Sequence, residues 1–486
     1  MNKTQLLHRL PPNPLPADVA EALAERIFDV VGAAEDQSFE ALQDTVLMAL
    51  RQIGCLVERR GLQARVTRAA RIEVEGTTYA PLCQPSAVRC FGLWGTHRVE
   101  EPLYRAVGVH NGKTLKPLEL RAGLVCGSVS PGLARRLGWM TALMTSRQAH
   151  VGLCEMGLGS ASRATIETHV HDMGVDMAAQ AVALEDAARA EEEVPATVAS
   201  LSCGLDRKAI PMSEERAPGQ APSTPRKTRR TPYCRKPPAP IDVNYRMAYV
   251  GSVTLVDAAG NALRTLRYGA DAGSDPAALA GRIRKDLERI VHLRGPLDIT
   301  VVQDGASELD VLPKTLAQSD ALRACPRHEL VDLNHALDYL RNVVRECEPD
   351  GDPHSMVEWY RDALLDDEDG VDRVLRGLRY RRARVRGTKS EQAKEALTDA
   401  IRYVGNRRRK MKYAPHWAAN RVVGSGATES AAKVMGARTN LSGARWDVPG
   451  LRGMLTRRGL VTSERWSPAW AHYAASRVVD IKQVAA

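Results

Sequence analysis

Two apolar runs that each end on an acid, ATVASLSCGLD (Ala196–Asp206) and PLDITVVQD (Pro296–Asp304), decide how this chain folds. Both are short, rich in β-branched residues and mostly apolar, the pattern of strands inside a sheet. Between them, NYRMAYVGSVTLVDAAGNALRTLRYG (Asn244–Gly269) predicts a β-hairpin turning at DAAGN. DPAALAGRIRKDLERIVHL then predicts an amphipathic helix, with Asp275 as N-cap and Pro276 in its first position. Strand, hairpin, helix, strand, then further helices is an α/β layout. Both strands deliver a carboxylate at or just past their C-terminal ends, where open α/β sheets place their chemistry.

Outward from this centre the texture changes. Residues 1–63 are helix-like, and 64–130 form a small β-rich region with Gly and Pro between short strands. Residues 131–195 are helical again, and within them Pro131–Gly174 is broken at Gly157 and Gly159, with Ser160 and Ser162 as N-cap candidates. Two helices around a glycine turn is the helix-turn-helix outline, which would send Arg163, Thr165 and His169 toward a DNA groove; a plain packing hairpin has the same outline. The strands lie in 196–340, interrupted by SEERAPGQAPSTPRKTRRTPYCRKPPAP (Ser213–Pro240), a Pro-rich loop whose basic cluster includes Arg229 and Arg230. Residues 341–420 are helical by period, and 421–486 carry the last helices.

At 486 residues the chain is long enough for several domains. Its 44% apolar and 26% charged residues exclude a mostly disordered or fibrous protein. No stretch approaches the roughly 18 apolar residues of a membrane-spanning helix. The N-terminal MNKTQLLHRLPPNPLPADVAEAL has no apolar run resembling a signal sequence, so a cytoplasmic protein with no membrane partner is expected. The net charge of +10 suits a polyanion. Nine cysteines, an odd number, point to reduced thiols rather than a disulfide framework. Cys83 and Cys90 read as buried thiols or, with a second pair that the sequence does not offer, as zinc ligands.

Three acids stand out by context: Asp206 and Asp304 at the strand ends, and Glu429 opening TESAAKVMGARTNLSGARW after the small-residue loop GSGAT. Three carboxylates brought together can hold two Mg²⁺ ions about 3.5–4 Å apart, because a hard cation prefers oxygen donors. The competing reading makes each a turn residue or helix cap, as Asp257 is in the hairpin turn. Basic residues cluster in the helical stretch, with Arg381, Arg382 and Arg384 in one place and Arg408, Arg409 and Lys410 in another. Tyrosines are interleaved, a track suited to DNA phosphates or to a solvated face.

The ordered series GLDRKAIPM, VVQDGASEL, CPRH, LVDLNHALDYL and GATESAAKVMGARTNLSGARW resembles DDE transposases of bacterial insertion sequences, the ISKra-type branch and its Mutator-like relatives most of all. The resemblance covers roughly residues 196–470. It implies an RNase H-like catalytic domain with a helical insertion, in which Asp206, Asp304 and Glu429 are catalytic and hold two Mg²⁺ or Mn²⁺ ions. It further implies cleavage at the element's ends and strand transfer into target DNA, with double-stranded DNA as partner and a homodimer or higher oligomer on it. Relatives often carry Gly after the first acid, where this chain has Arg207. Cys325 and His328 in CPRH match a Cys-x-x-His element of the relatives, and Asp332 and His335 follow as possible accessory groups. Arg438 and Arg445 are candidates for holding phosphate, and Trp446 for stacking on a base or filling the core. The rival functions are a catalytically inactive, transposase-derived DNA-binding protein and an RNase H-like nuclease that does not join strands.

Overall fold

The computed structural model describes residues 16–31, 38–158, 161–216, 241–347, 352–385 and 391–484. The basic segment 217–240, with Arg229 and Arg230, lies outside the described residues, as do Gly159 and Ser160. The chain divides into two compact units of mixed α/β structure, each with its own sheet: residues 1–137, 146–170 and 474–486, and residues 138–145 and 171–473.

The first unit begins with α1 (Ala17–Val31) and α2 (Phe39–Gln63), followed by β1 (Ile72–Val74), β2 (Thr77–Phe91) and β3 (Thr96–Ala106). The C-terminal strand Lys482–Gln483 returns to pair with β1, a long-range contact that the sequence did not signal. α2 is fastened to the β2–β3 turn by Glu58, whose carboxylate accepts from Leu93 N (2.8 Å) and Trp94 N (3.2 Å) and meets His97 Nε2 at 2.9 Å. Cys90 is buried and Cys83 exposed, so the two thiols do not converge. Burial, and next to it the Glu58 charge, push the Cys90 thiol up to about 12.

After α3 (Pro117–Arg121), α4 (Pro131–Leu143) and α5 (Ser146–Glu155) comes α6 (Arg163–Ala179). Ser162 caps α6 through Thr165 N (3.2 Å). The groove-reading expectation fails at His169: its ring packs on Phe91 and meets Ser128 Oγ at 3.3 Å, so it is committed within the unit. Arg163 pairs with Glu167, one helical turn on.

In the second unit α7 (Ala181–Ala190) precedes β4 (Val198–Glu215), β5 (Ile241–Asp257), β6 (Ala262–Ala270), α8 (Pro276–Arg294), β7 (Asp298–Gln303), α9 (Val311–Ala317) and β8 (Arg327–Val331). The sheet order is β6-β5-β4-β7-β8; β5 is antiparallel to both of its neighbours, while β4, β7 and β8 run parallel. The hairpin and the capped helix form as the sequence predicts, with Asp275 accepting from Ala277 N at 2.8 Å. The first strand does not end at Asp206 but continues to Glu215, so Asp206 lies within it rather than at its C-terminal end and Ser213–Glu215 are strand rather than loop. β4 and β5 thus make a long ribbon, paired from Val198↔Asp257 to Glu215↔Ile241.

The period-2 alternation of β4 sorts the sheet's two faces. Leu201, Cys203 and Leu205 pack with Ile283 and Leu287 of α8 and Leu312 of α9. Ile210 and Met212, on the other face, pack with α15 (Gly426–Thr439) and α16 (Val448–Thr462) through Ala432, Met435 and Leu455. Between these come α10 (Leu333–Cys347), α11 (Pro353–Asp366), α12 (Gly370–Arg384), α13 (Glu391–Arg407) and α14 (Ala414–Ala418), whose core joins Val302 and Leu330 of the sheet. α17 (Trp466–Ala475) closes the helical series. Each large aliphatic side chain so buried contributes roughly 1.5–3 kcal/mol.

Gly204 sets how closely α15 approaches the sheet. A Cβ there would press into the Val302 carbonyl and stand 2.6 Å from Thr428 Oγ1. Gly204→Ala is therefore expected to cost about 1–3 kcal/mol, as overpacking does. Urea unfolding measures it, and an unchanged midpoint would mean that the helix shifts freely.

Candidate active site

The three acids are positioned by three different devices. On β4 and β7 each hydrogen-bonded pair differs by 98 positions, from Ser200↔Asp298 to Cys203↔Val301. Asp206 and Asp304 differ by the same 98, so they occupy equivalent positions just past the paired segment, on strands roughly 4.8 Å apart. Both also fall on the face that carries Ile210, Met212 and α15, because they share parity with Gly204 and Val302. Glu429 reaches this face from the first turn of α15. There Thr428 Oγ1 meets Ser252 Oγ at 2.8 Å, and Ser252 lies opposite Gly204 on β5, two residues from Asp206.

Asp304 sits in a braced turn. Its carboxylate accepts from Ala306 N at 2.8 Å, and Gly305 takes φ +82°, a value that favours glycine. Tyr403 of α13 donates its hydroxyl to the Asp304 carbonyl at 2.9 Å, and Arg407 donates to the Gly305 carbonyl at 2.8 Å. Tyr403 in turn stacks on Tyr339 of α10, with ring centroids 4.0 Å apart. Helices α10 and α13 thus support the turn after β7 that carries Asp304, a role no local signal in the sequence announced.

Asp332, considered as a fourth acid, is buried and used as a structural hub. It caps α10 through Asn334 N (3.2 Å) and His335 N (3.1 Å). It also accepts from Ser425 N at 2.9 Å, anchoring the loop that leads into α15. His335 sets its ring against the side of the Tyr339–Tyr403 stack, with centroids 5.9 and 5.8 Å from the two. Cys325 and His328 do not form a chelating pair. Cys325 is buried in the core under α8 and α9, whereas His328 packs against His416 of α14 with centroids 4.7 Å apart. Burial holds both imidazoles below their ordinary range, helped at His328 by the Arg421 charge and at His416 by His328 itself.

The electrostatics join the three acids. The Asp206 carboxyl is raised above the usual Asp range, first by burial and then by the negative charges of Asp304 and Glu429, against the opposing Arg207 amide. The Arg207 guanidinium lies 3.6 Å from Asp304 Oδ2 and 2.9 Å from Glu308 Oε1, a positive charge beside the acids. Glu429 accepts from Ser425 Oγ at 3.0 Å. Among the described residues no three His, Cys, Asp or Glu side chains stand as a ready-made metal-ligand group. The acids share a field, each with its own hydrogen-bond partner. All three donors are carboxylate oxygens, the type a hard divalent cation takes, and it is their chemistry rather than a formed ligand group that such a cation would use.

A raised carboxyl pKa fixes the sign of a stability effect. Asp206 favours the fold fully when protonated, below about pH 4, and that contribution is lost as pH rises through its elevated folded-state value. At neutral pH the ionised carboxylate weighs against the fold. Asp206→Asn is therefore expected to raise the thermal midpoint at pH 7.5 without added metal, with the gain shrinking toward pH 4. A lowered midpoint at pH 7.5 would mean that the carboxylate sits in a stabilising ion pair instead.

The basic candidates divide. Arg382, Arg409 and Arg445 are exposed. Arg384 lies over the Tyr380 ring at 4.2 Å, and Arg381 reaches the Met356 sulfur at 3.5 Å. Arg408 pairs with Asp372 at 3.2 Å, and Lys410 with Asp310 (2.9 Å) and Glu329 (3.0 Å), which commits Lys410 to the β7–β8 end of the sheet. Arg438 is half-buried and donates to the Thr141 carbonyl at 3.1 Å; burial lowers its pKa. Trp446 serves the core. Its indole N–H donates to the Thr439 carbonyl, and its backbone bridges Met212 on the free edge of β4.

No family profile and no curated protein sequence matches the chain. No helix among the described residues is long and apolar enough to cross a membrane.

Proposed function

We propose that this chain is a DDE-type DNA transposase with an RNase H-like core in its second unit. One observation carries the reading: Asp206 and Asp304 stand at matching positions of adjacent strands, and Glu429 opens the helix whose Thr428 hydrogen-bonds Ser252 beside them; the negative charges of Asp304 and Glu429 accordingly raise the Asp206 carboxyl. The sheet order β6-β5-β4-β7-β8, with β5 reversed, supports the RNase H-like part, as does a helical insertion between the second and third acids.

Asp206, Asp304 and Glu429 would hold two Mg²⁺ or Mn²⁺ ions through carboxylate oxygens. When bound, the cations supply Lewis-acid activation of a water or a 3′-hydroxyl and stabilise the leaving oxygen of an in-line displacement. The chain's own residues prepare that chemistry. Tyr403 and Arg407 hold the 304–305 turn, Asp332 and Ser425 hold the approach to α15, and Arg207 offsets the charge of Asp304. Arg382, Arg409 and Arg445 remain exposed for phosphate contacts, which release counterions and make binding fall steeply with salt.

The test is incubation of the full chain with DNA carrying the flanks of its own gene, with and without Mg²⁺. Nicking at the element ends plus joined products is the expected result. Cleaved ends that are never joined would point to the RNase H-like nuclease, and binding without cleavage to a DNA-binding derivative.

A further inference from the structure

Resting on the transposase reading, we propose that Lys208 and Lys433 hold the DNA phosphates next to the one that is cut. α15 passes over β4 in the same sense as the strand. Thr428 stands over Gly204, Gly436 over Lys208, and Asn440 donates its side-chain amide to the Ala209 carbonyl at 2.7 Å. One side of the helix therefore runs along the strand from Asp206 onward. Glu429, Lys433, Gly436 and Asn440 follow one another on that side, at spacings of four, three and four residues. Lys208 shares the face of Asp206 and lies two residues beyond it, about 7 Å further along the strand. A missing side chain lets it lie there. Its Cε stands 2.8 Å, and its Nζ 3.6 Å, from where a Cβ on Gly436 would be. The aliphatic stem packs on the helix while the residue is only half-buried, the usual way a lysine keeps its ammonium in water. Lys433 is exposed.

Both ammoniums lack a protein counter-charge. Among the described residues neither has a carboxylate within ion-pair distance. Glu429 precedes Lys433 by four residues, the order that favours a pair on a helix, yet its carboxylate accepts from Ser425 Oγ instead. The neighbouring cations are committed: Arg207 to Asp304 and Glu308, and Arg438, on the other side of α15, to the Thr141 carbonyl. Three carboxylates are more than neutralised by two divalent cations, so in the loaded site only the substrate's phosphates are left to answer the two lysines. An ammonium on a flexible stem suits that partner, since it meets a phosphate as a point charge from any direction. Lysines that only soften the repulsion among the three acids would leave DNA binding untouched.

The measurement is a methylphosphonate scan. Duplex DNA carrying the flanks of the chain's own gene is made with each phosphate around the mapped nick replaced in turn by a neutral methylphosphonate. Affinity is read by fluorescence anisotropy in EDTA, where nothing is cut. In the wild-type chain two replacements beside the nick are expected to weaken binding, each roughly fivefold, the loss of one phosphate contact. In Lys208→Met/Lys433→Met the same two replacements are expected to cost nothing further. The slope of log affinity against log salt is expected to fall by about two in that variant. Methionine keeps an apolar stem over Gly436, so the thermal midpoint is expected to stay unchanged. Lys433→Met alone, at an exposed position, is expected to abolish the effect of one replacement and keep the other. A nicking chain whose scan and salt slope are the same with and without the lysines would overturn their assignment and leave the transposase reading standing. A chain that neither binds nor nicks this DNA would overturn that reading, and the assignment with it.

Discussion

Asp304→Asn is expected to lower Mg²⁺-dependent nicking by roughly 10³-fold or more, about 4 kcal/mol of transition-state stabilisation, while DNA affinity stays within about twofold. The substitution keeps size and shape, so the side-chain oxygen still accepts from Ala306 N and the turn held by Tyr403 and Arg407 keeps its form. What it removes is one negative charge from a set of three. Glu429→Gln is expected to act the same way, since Ser425 Oγ can donate to an amide oxygen as it does to the carboxylate. Electrophoretic mobility shift and nicking assays on the same protein separate the two effects. Parallel loss of binding and nicking, with a lowered thermal midpoint, would make these acids structural.

Asp286→Ala is expected to destabilise the second unit by about 3–5 kcal/mol, the usual consequence of stripping one partner from a buried ionic network. Asp286 is fully buried on α8 and accepts from Tyr268 Oη (2.7 Å), Arg189 Nε (3.0 Å) and Arg465 Nη2 (2.6 Å). Those cations also serve neighbouring acids. Arg189 meets Glu185 at 3.2 Å, and Arg465 holds Glu192 with two hydrogen bonds. The network ties α7, β6, α8 and the start of α17 together behind the sheet face that lacks the acids. Removing Asp286 leaves Arg189 with Glu185 and Asp186 and Arg465 with Glu192, but takes away the one acid the two guanidiniums share and the acceptor of Tyr268 Oη, deep in the core. Urea unfolding measures the loss. A shift under 1 kcal/mol would mean that water enters and solvates the arginines.

The parts of the fold that were legible in sequence are those set by local pattern. β7 and the β5–β6 hairpin follow from apolar runs broken by turn residues, and α8 from Asp275 and Pro276 at its start. Asp206 and Asp304 were legible because each ends such a run. The length of β4 was not, since DRKAIPMSEE mixes charges with a proline, which weighs against a strand interior. Here β7 stops pairing after Cys203, and Pro211 accepts from Trp446 N with its carbonyl while its ring nitrogen has no ladder bond to lose. The network around Asp286 was invisible because its partners are 18 to 179 residues away along the chain. Asp332 and His335 were noticed for their chemical type, but hub and core packing are tertiary roles. Arg438 drew attention as a phosphate contact, yet its position on α15 aims it at the Thr141 carbonyl. Charge in a sequence says what a residue can bind, and only packing says what it does bind.

The most direct measurement is anomalous diffraction from crystals of the full chain soaked in Mn²⁺. The account predicts manganese within about 2.1 Å of carboxylate oxygens from Asp206, Asp304 and Glu429, with Arg207 displaced from Asp304. Manganese bound elsewhere, or a site touching only one of the three acids, would contradict it.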